Sequence, residues 1–202
     1  GTEIRRVTAS DARHAAPLTL GKVEMDLRSL LRRAARGVLG ERAWKTFGNV
    51  CPVDIRDVAA ERPLPLQVHA HDRYAQAREG RYGAAETWVV THAEPGAVMY
   101  LGLRADADAG AFARALRAGE DVTPFLNRVE VQPGEIYQIP PGVLHGQGAG
   151  TRVTRIGPTG GATFRADDVE QALAVMRFDT GPPSAYRVEP QVRRREGGST
   201  VS

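Results

Sequence analysis

Imidazole and amide side chains recur on one face of a predicted strand. In the run LPLQVHAHD, an extended backbone would place Gln67, His69 and His71 on one face and Val68 on the other. Three polar side chains on an inward face would be costly to bury unless something such as a metal ion satisfied them. The alternation therefore predicts a strand that carries metal ligands.

A second run, GEIYQIPPGVLH, ends in a histidine that follows a rigid turn. Proline fixes φ and glycine accepts backbone conformations that other residues avoid, so the Pro-Pro-Gly segment before His145 forms a fixed corner. A side chain held just after such a corner loses little rotamer freedom when it points toward a ligand-binding interior. Glu86, which opens the predicted strand ETWVV, is a third candidate group. These runs predict that ligands from three strands meet.

Gln67, His69, Glu86 and His145 together predict a site for one divalent metal. Imidazole and carboxylate ligands suit zinc, iron, manganese, cobalt or nickel. A site with open positions acts as a Lewis acid on substrate oxygens. His71 leaves an alternative, because replacing Gln67 by His71 would give three histidines and a glutamate. That set would favour oxygen chemistry at iron, manganese or nickel.

Composition and length indicate one ordinary globular domain. Of 202 residues, 42% are hydrophobic and 25% are charged, and 22 glycines and 13 prolines favour a turn-rich β fold over a helical bundle. The net charge of +3 is small, so we expect no nucleic-acid partner. A single cysteine, Cys51, excludes an internal disulfide and suits a reducing compartment. No stretch has the length and apolarity of a membrane span, so we expect a cytoplasmic protein.

The remaining pattern supplies helices around a β domain. Apolar spacing predicts helices over 24–39, ending at Gly40, and over 111–118 and 169–176, whereas 74–81 is predicted as a loop or a single helical turn. Apolar and polar residues alternate over 50–57, as they would in a half-exposed strand. We expect three segments along the chain: an N-terminal extension at 1–21, a domain at 22–180 and an extended C-terminal tail at 181–202.

The spacing G-x5-P-x-G-x2-H in residues 134–145 resembles the second signature motif of the cupins. PLQVHAHD, AETW, AEPGAVMYLG and PGEIYQIPPGVLHGQGAG are similar to segments of type I mannose-6-phosphate isomerases, a zinc-dependent branch of the cupins. The resemblance runs from about residue 22 to 178. It implies a mainly β fold, a cupin jelly-roll β-barrel or sandwich with a few flanking α-helices. It also implies zinc bound by the four residues that match the family's ligands: Gln67, His69, Glu86 and His145.

The departures from that family concern the phosphosugar machinery. A serine that the family carries two residues before the glutamine is Pro65 here, and a lysine two residues before the glutamate is Ala84. A glutamate on the strand after the histidine corner is replaced by Arg155, whereas an arginine in a TYR-like segment is retained as Arg165. The serine and lysine would hold a phosphate, and the lost lysine and glutamate are candidate proton-transfer groups.

The resemblance therefore implies a metal-dependent enzyme of isomerase type, acting through an enediolate on a small polar sugar-like or hydroxy-carbonyl substrate. His71 is the candidate base and Arg165 the candidate anion-binding group. Alternatives are a mononuclear-metal oxygenase, lyase or cyclase of a specialised biosynthetic pathway, and a non-catalytic sugar-binding cupin. The expected partner is a small molecule. An exposed jelly-roll edge can pair with a second subunit, so a homodimer is one possible assembly.

Overall fold

The computed structural model describes residues 2–7, 17–179, 181–190, 192–195 and 198–201. Much of the predicted N-terminal extension lies outside the described residues. The chain is mainly β, as predicted, and its strands and helices follow in this order: β1 (Thr2–Val7), β2 (Pro17–Leu20), β3 (Val23–Asp26), α1 (Leu27–Phe47), β4 (Val53–Ala60), β5 (Gln67–His69), α2 (Asp72–Glu79), β6 (Glu86–Ala93), β7 (Val98–Leu103), α3 (Ala109–Ala118), β8 (Leu126–Glu130), β9 (Ile136–Ile139), β10 (His145–Gln147), β11 (Thr151–Pro158), β12 (Thr163–Arg165), α4 (Val169–Val175), β13 (Arg187–Val188), β14 (Val192–Arg195) and β15 (Gly198–Val201).

Two antiparallel sheets form the body of the domain. One has the strand order β1-β4-β11-β6-β9-β13, and the other has the order β12-β5-β10-β7-β8. Neighbours in the sheets are mostly distant in sequence, so strands far apart along the chain lie side by side. This topology places β5 and β10 side by side in the five-stranded sheet and β6 in the six-stranded sheet. These three strands carry the four predicted ligands.

The space between the sheets is filled by apolar side chains. Trp88, Met99, Leu101 and Val153 have no exposed surface and belong to one cluster. Burying each such side chain contributes about 1.5–3 kcal/mol to folding. The opposite face of the five-stranded sheet packs against α3 and α4 through a second cluster, which includes Val68, Phe112, Leu144 and Ala172. Both faces of that sheet are therefore buried, which fixes the strands that carry Gln67, His69 and His145.

Two helices differ from their predictions. α1 continues to Phe47 past Gly40, whose φ of 79° and ψ of 162° interrupt the helix without ending it. The helical geometry does break at the predicted residue, Gly40, but a second helical segment follows it directly, because a glycine with positive φ can join two helical segments as well as end one. Residues 72–79 form the helix α2, which is longer than the single turn predicted. α3 and α4 lie where the apolar spacing predicts them.

The orientation of β4 also corrects the prediction. Val53 is 39% exposed, whereas the side chains of Asp54 and Arg56 keep only 13% and 26% of their surface exposed. Because side chains alternate along a strand, Asp54, Arg56 and the buried Val58 share the inner face. One end of the space between the sheets is therefore polar and charged.

Candidate metal centre

The strands bring three of the predicted ligands into contact range. β10 pairs with β5 so that His145 lies opposite Gln67, and His69 is two residues further along the same face of β5. Glu86 begins β6 in the facing sheet. One ligand atom each from His69, Glu86 and His145 lie within 4.8 Å of one another, and all three residues are buried. Such a group can hold a metal ion.

The Pro-Pro-Gly corner connects His145 to His69 through the backbone. Gly142 has a φ of 85°, in the left-handed region that favours glycine. Its N–H donates to the carbonyl of His69 at 2.9 Å, and its own carbonyl accepts from the N–H of Arg177 at 2.8 Å. The corner therefore sets the position of His145 relative to His69.

We expect Gly142→Ala to weaken both folding and metal binding. The left-handed conformation costs a non-glycine residue about 1–2 kcal/mol, and an added Cβ would lie 2.6 Å from Arg177 Cγ and 3.2 Å from the Val175 carbonyl oxygen. Gly134→Ala is the matched control, because Gly134 has a φ of 93° with no atom within 4 Å of the added Cβ. Urea unfolding should show a loss in both variants, and zinc titration a loss only at Gly142. Equal zinc affinity in the two variants would contradict the role of the corner.

Hydrogen bonds set the tautomers of both histidines. His145 Nδ1 lies 2.7 Å from the Val143 carbonyl, which can only accept, so Nδ1 carries the proton. His69 Nδ1 lies 2.9 Å from Thr163 Oγ1, and that hydroxyl lies 3.4 Å from the Gly161 carbonyl, to which it can donate. His69 Nδ1 then donates to the hydroxyl. In both rings Nε2 is left with a lone pair that faces the cluster.

His69 Nε2 is a buried atom without a hydrogen-bond partner among the described residues. It lies 3.3 Å from Glu86 Oε2, so a lone pair faces a carboxylate oxygen. Burying an unpaired polar atom costs free energy, and two facing acceptors repel unless a cation lies between them. The donor set of two imidazoles and one carboxylate fits a divalent metal such as zinc.

The Glu86 carboxylate is held on both of its oxygens. Trp88 Nε1 donates to Oε2 at 2.7 Å, and Arg56 Nη2 donates to Oε1 at 3.3 Å. Burial by itself would raise the pKa of Glu86. In the metal-free protein, a hydrogen bond from His69 Nε2 when that nitrogen carries a proton, together with the charge of Arg155, holds the pKa of Glu86 well below its ordinary range. The carboxylate is therefore ionised at neutral pH, as a metal ligand must be.

Burial keeps the His145 imidazole uncharged. Its ring has no exposed surface, and burial, with His69 close by, lowers the pKa of His145 to about 3. The imidazole is therefore neutral across the physiological range. Neutral imidazole is the form that binds metals.

Gln67 lies next to these groups. Its Nε2 donates to His145 Nε2 across 3.1 Å. Rotating the amide by half a turn would exchange its nitrogen and oxygen. The amide oxygen would then face the same point as the two imidazole nitrogens.

His71 lies outside this cluster. β5 ends at His69, so the alternation that predicts a shared face for His71 stops before reaching it. His71 is exposed and caps α2, accepting from the N–H of Tyr74 through Nδ1 at 3.2 Å. Arg165, by contrast, pairs with Gln67 in register on β12. Directly paired residues share a face of a sheet, so Arg165, which is exposed, lies on the ligand-bearing face at the edge of the sheet.

Three departures from the family have clear structural settings. Pro65 is exposed and Ala84 is buried, and neither side chain can hold a phosphate. Arg155 is 7% exposed, with its guanidinium stacked on Trp88 at 4.2 Å from the ring centroid. Its Nε and Nη2 donate to Gln147 Oε1 at 3.0 and 2.6 Å. A cation therefore lies inside the domain at the position where the family resemblance implies a glutamate.

Sequence reasoning missed Asp54 and Arg56 as inner residues. The alternation of apolar Val53, Ile55 and Val58 suggested that the polar residues between them face solvent. The available sequence signal was that the apolar residues Val58 and Ala60 stand two and four residues after Arg56, on the same face of an extended strand. It would have assigned Asp54 and Arg56 to the inner face.

Curated relatives with sequence similarity are isomerases. No family model matches the chain. It is 30% identical over 125 residues to the Bacillus subtilis protein named "Probable mannose-6-phosphate isomerase GmuF", covering 61% of this chain and 39% of that protein. It is 27% identical over 150 residues to a mannose-6-phosphate isomerase of Streptococcus mutans, covering 72% of this chain and 45% of the relative. The chain thus spans less than half the length of these relatives.

Solved structures show the same fold. The mannose 6-phosphate isomerase of Bacillus subtilis superposes with a TM-score of 0.78 at 20% identity, covering 98% of this chain and 64% of that one. A zinc-bound mannose 6-phosphate isomerase superposes with a TM-score of 0.72 at 15% identity, covering 91% and 68%. The predicted cupin jelly roll is confirmed. Within the described part of the chain, no helix combines the length and apolarity needed to cross a bilayer.

Proposed function

We propose that this mannose-6-phosphate isomerase-like cupin is a metal-dependent enzyme of isomerase type. It would move hydrogen between adjacent carbons of a small hydroxy-carbonyl compound. Residues 22–180 would form the catalytic domain. The curated relatives are isomerases, and the centre of this domain keeps the residue types that such chemistry needs.

The observation that carries the proposal is the convergence of acceptors on one point. His69 Nε2, which has no hydrogen-bond partner among the described residues, faces the ionised Glu86 carboxylate, and His145 belongs to the same group of atoms. We assign this point to one zinc ion bound by His69, Glu86 and His145, with the Gln67 amide oxygen as a fourth ligand. A bound zinc would polarise a carbonyl or hydroxyl oxygen of the substrate.

The surrounding residues have separate tasks in this proposal. Trp88 and Arg56 hold the Glu86 carboxylate in place, and Thr163 orients the His69 ring. Removing a supporting contact of this kind typically lowers metal affinity about 10- to 100-fold. Arg165, on the ligand-bearing face of β12, would bind a negatively charged or strongly polar part of the substrate. The buried floor that includes Trp88 and Leu101 excludes water beneath the site.

The substrate we propose is not a phosphosugar. Pro65 and Ala84 stand at the positions of the phosphate-holding serine and lysine, so neither a hydroxyl nor an ammonium group is present there. Turnover of mannose 6-phosphate should accordingly be no faster than that of its unphosphorylated counterpart.

Metal analysis combined with two assays tests the proposal. Purified protein should contain one zinc per chain, consume no O2, and interconvert aldose and ketose forms of a hydroxy-carbonyl compound only when zinc is present. Bound iron with O2 uptake would instead establish the oxygenase alternative. Zinc without turnover, together with saturable sugar binding, would establish a binding protein.

A further inference from the structure

Near the candidate metal centre, one buried carboxylate oxygen has no hydrogen bond among the described residues. This oxygen is Asp54 Oδ1. The other oxygen, Oδ2, lies 2.9 Å from Arg56 Nε. Burying a carboxylate oxygen without a hydrogen bond costs free energy. We therefore expect a bound ligand to supply the missing hydrogen-bond partner.

Arg56 links Asp54 to the candidate metal centre. Arg56 contacts Asp54 through Nε and reaches Glu86 Oε1 through Nη2 at 3.3 Å. In the sheet, Asp54 is opposite Gly157, and a Cβ on Gly157 would lie 3.1 Å from Glu86 Cγ. Asp54 and Glu86 therefore flank the same glycine, on the two strands next to β11.

This position bears on the missing proton-transfer group. The family resemblance implies a glutamate at the position of Arg155, and Arg155 pairs with Arg56 in the sheet. Asp54 is thus a diagonal neighbour of position 155, one strand away and on the same face. Ala84 has no group that can move a proton, and His71 is exposed at the start of α2. Asp54 supplies a carboxylate close to the position of the lost glutamate.

We propose that Asp54 is the catalytic carboxylate that transfers the proton between adjacent substrate carbons, an inference that rests on the proposed isomerase function. Asp54 Oδ1 takes the proton from the hydroxyl-bearing carbon, and the C–H electron pair forms the carbon–carbon double bond while the carbonyl π pair moves to its oxygen. The proton then returns to the neighbouring carbon as the hydroxyl oxygen forms the new carbonyl. A second proton passes from one oxygen to the other. Substrate and product are isomers, and Asp54 ends ionised as it began.

Arg56 gives Asp54 a fixed geometry for this step. Its contact with Oδ2 leaves Oδ1 as the oxygen that would accept the substrate proton. Thr159 Oγ1 is a second buried oxygen without a hydrogen bond among the described residues. Thr159 lies just past the end of β11, and its backbone N–H donates to the Pro52 carbonyl at 3.1 Å. Asp54 Oδ1 and Thr159 Oγ1 thus lie at the same end of the β4–β11 pair.

The test follows deuterium incorporation from D2O into dihydroxyacetone, D-mannose and D-mannose 6-phosphate by NMR, with zinc-loaded protein. Asp54→Asn should lower exchange of the best probe about 100-fold or more, the effect expected for loss of an acid–base group. Zinc content and unfolding temperature of this variant should match the wild type, and Asp54→Glu should keep part of the exchange. Asp57→Asn is the matched control on the same strand, because Asp57 accepts from Thr154 Oγ1 at 2.6 Å and should exchange at the wild-type rate.

Each other outcome decides the question. Exchange by Asp54→Asn within threefold of wild type would overturn the role of Asp54 and leave the isomerase function standing. If both Asp54 variants lose deuterium exchange and also lose zinc or fail to fold, Asp54 has a structural role and the proposal is overturned. Wild-type exchange no faster than with free zinc, for all three probes, would overturn the isomerase function itself and the role of Asp54 with it.

Discussion

His69→Ala should leave the protein without stoichiometric zinc, whereas His71→Ala should keep a full equivalent. The two histidines are only two residues apart, but His69 is 2% exposed and its Nε2 faces Glu86. The exposed His71 instead accepts from a backbone N–H at the start of α2. Mutation of a residue that only supports a metal ligand lowers metal affinity about 10- to 100-fold. Removal of a ligand itself should lower zinc affinity by more than that.

Zinc competition with a chromogenic chelator, together with elemental analysis of dialysed protein, measures this difference. Circular dichroism checks that both variants are folded, and the lost cap in His71→Ala should cost no more than about 1 kcal/mol. Loss of zinc in His71→Ala would mean that His71 is a ligand. Retention of a full equivalent of zinc in His69→Ala would contradict the assignment of His69 as a zinc ligand.

The metal-free protein should lose several kcal/mol of stability as the pH falls from 7 to 4. The pKa of His145 is about 3 in the folded protein against an ordinary 6.5, so below 6.5 the unfolded chain binds a proton that the folded chain excludes. Stability is then complete above 6.5 and falls toward the folded pKa, by about 3 kcal/mol at pH 4 for this group alone. The depressed pKa of Glu86 acts in the same direction, with its contribution lost below the ordinary value of 4.5.

Urea unfolding of the metal-free protein at several pH values measures this effect. His145→Gln should flatten the dependence between pH 6.5 and 4, because it removes the titrating group. His92→Gln, at an exposed position on β6, should leave it as steep as in the wild type. A wild-type stability that does not change between pH 7 and 4 would show that His145 is not held neutral by burial.

Local motifs predicted much of the site because their geometry depends on neighbouring residues. The Pro-Pro-Gly corner before His145 and the alternation of Gln67 with His69 are short-range features, and the structure has both. The convergence of β5, β6 and β10 depends on long-range pairing. The residue types indicated that these ligands meet, but the arrangement of the strands came from the resemblance to a known family, since periodicity does not specify which strands become neighbours.

Other features could not be predicted from local pattern. Strand alternation would place His71 on the face of His69, but β5 ends at His69 because the next residues begin a helix. The inner face of β4 carries Asp54 and Arg56 while Val53 is exposed, which reverses the usual apolar preference. Such reversals are tolerated where charged groups find partners, and here Arg56 pairs with Glu86 across the sheet. Local rules fail where function places polar groups inside.

Anomalous diffraction at the zinc absorption edge, from crystals of the zinc-loaded protein, tests the central claim most directly. We predict one anomalous peak per chain at about 2.0–2.2 Å from Nε2 of His69, Nε2 of His145 and a carboxylate oxygen of Glu86. A peak elsewhere on the chain, or no peak at this point, would contradict the account.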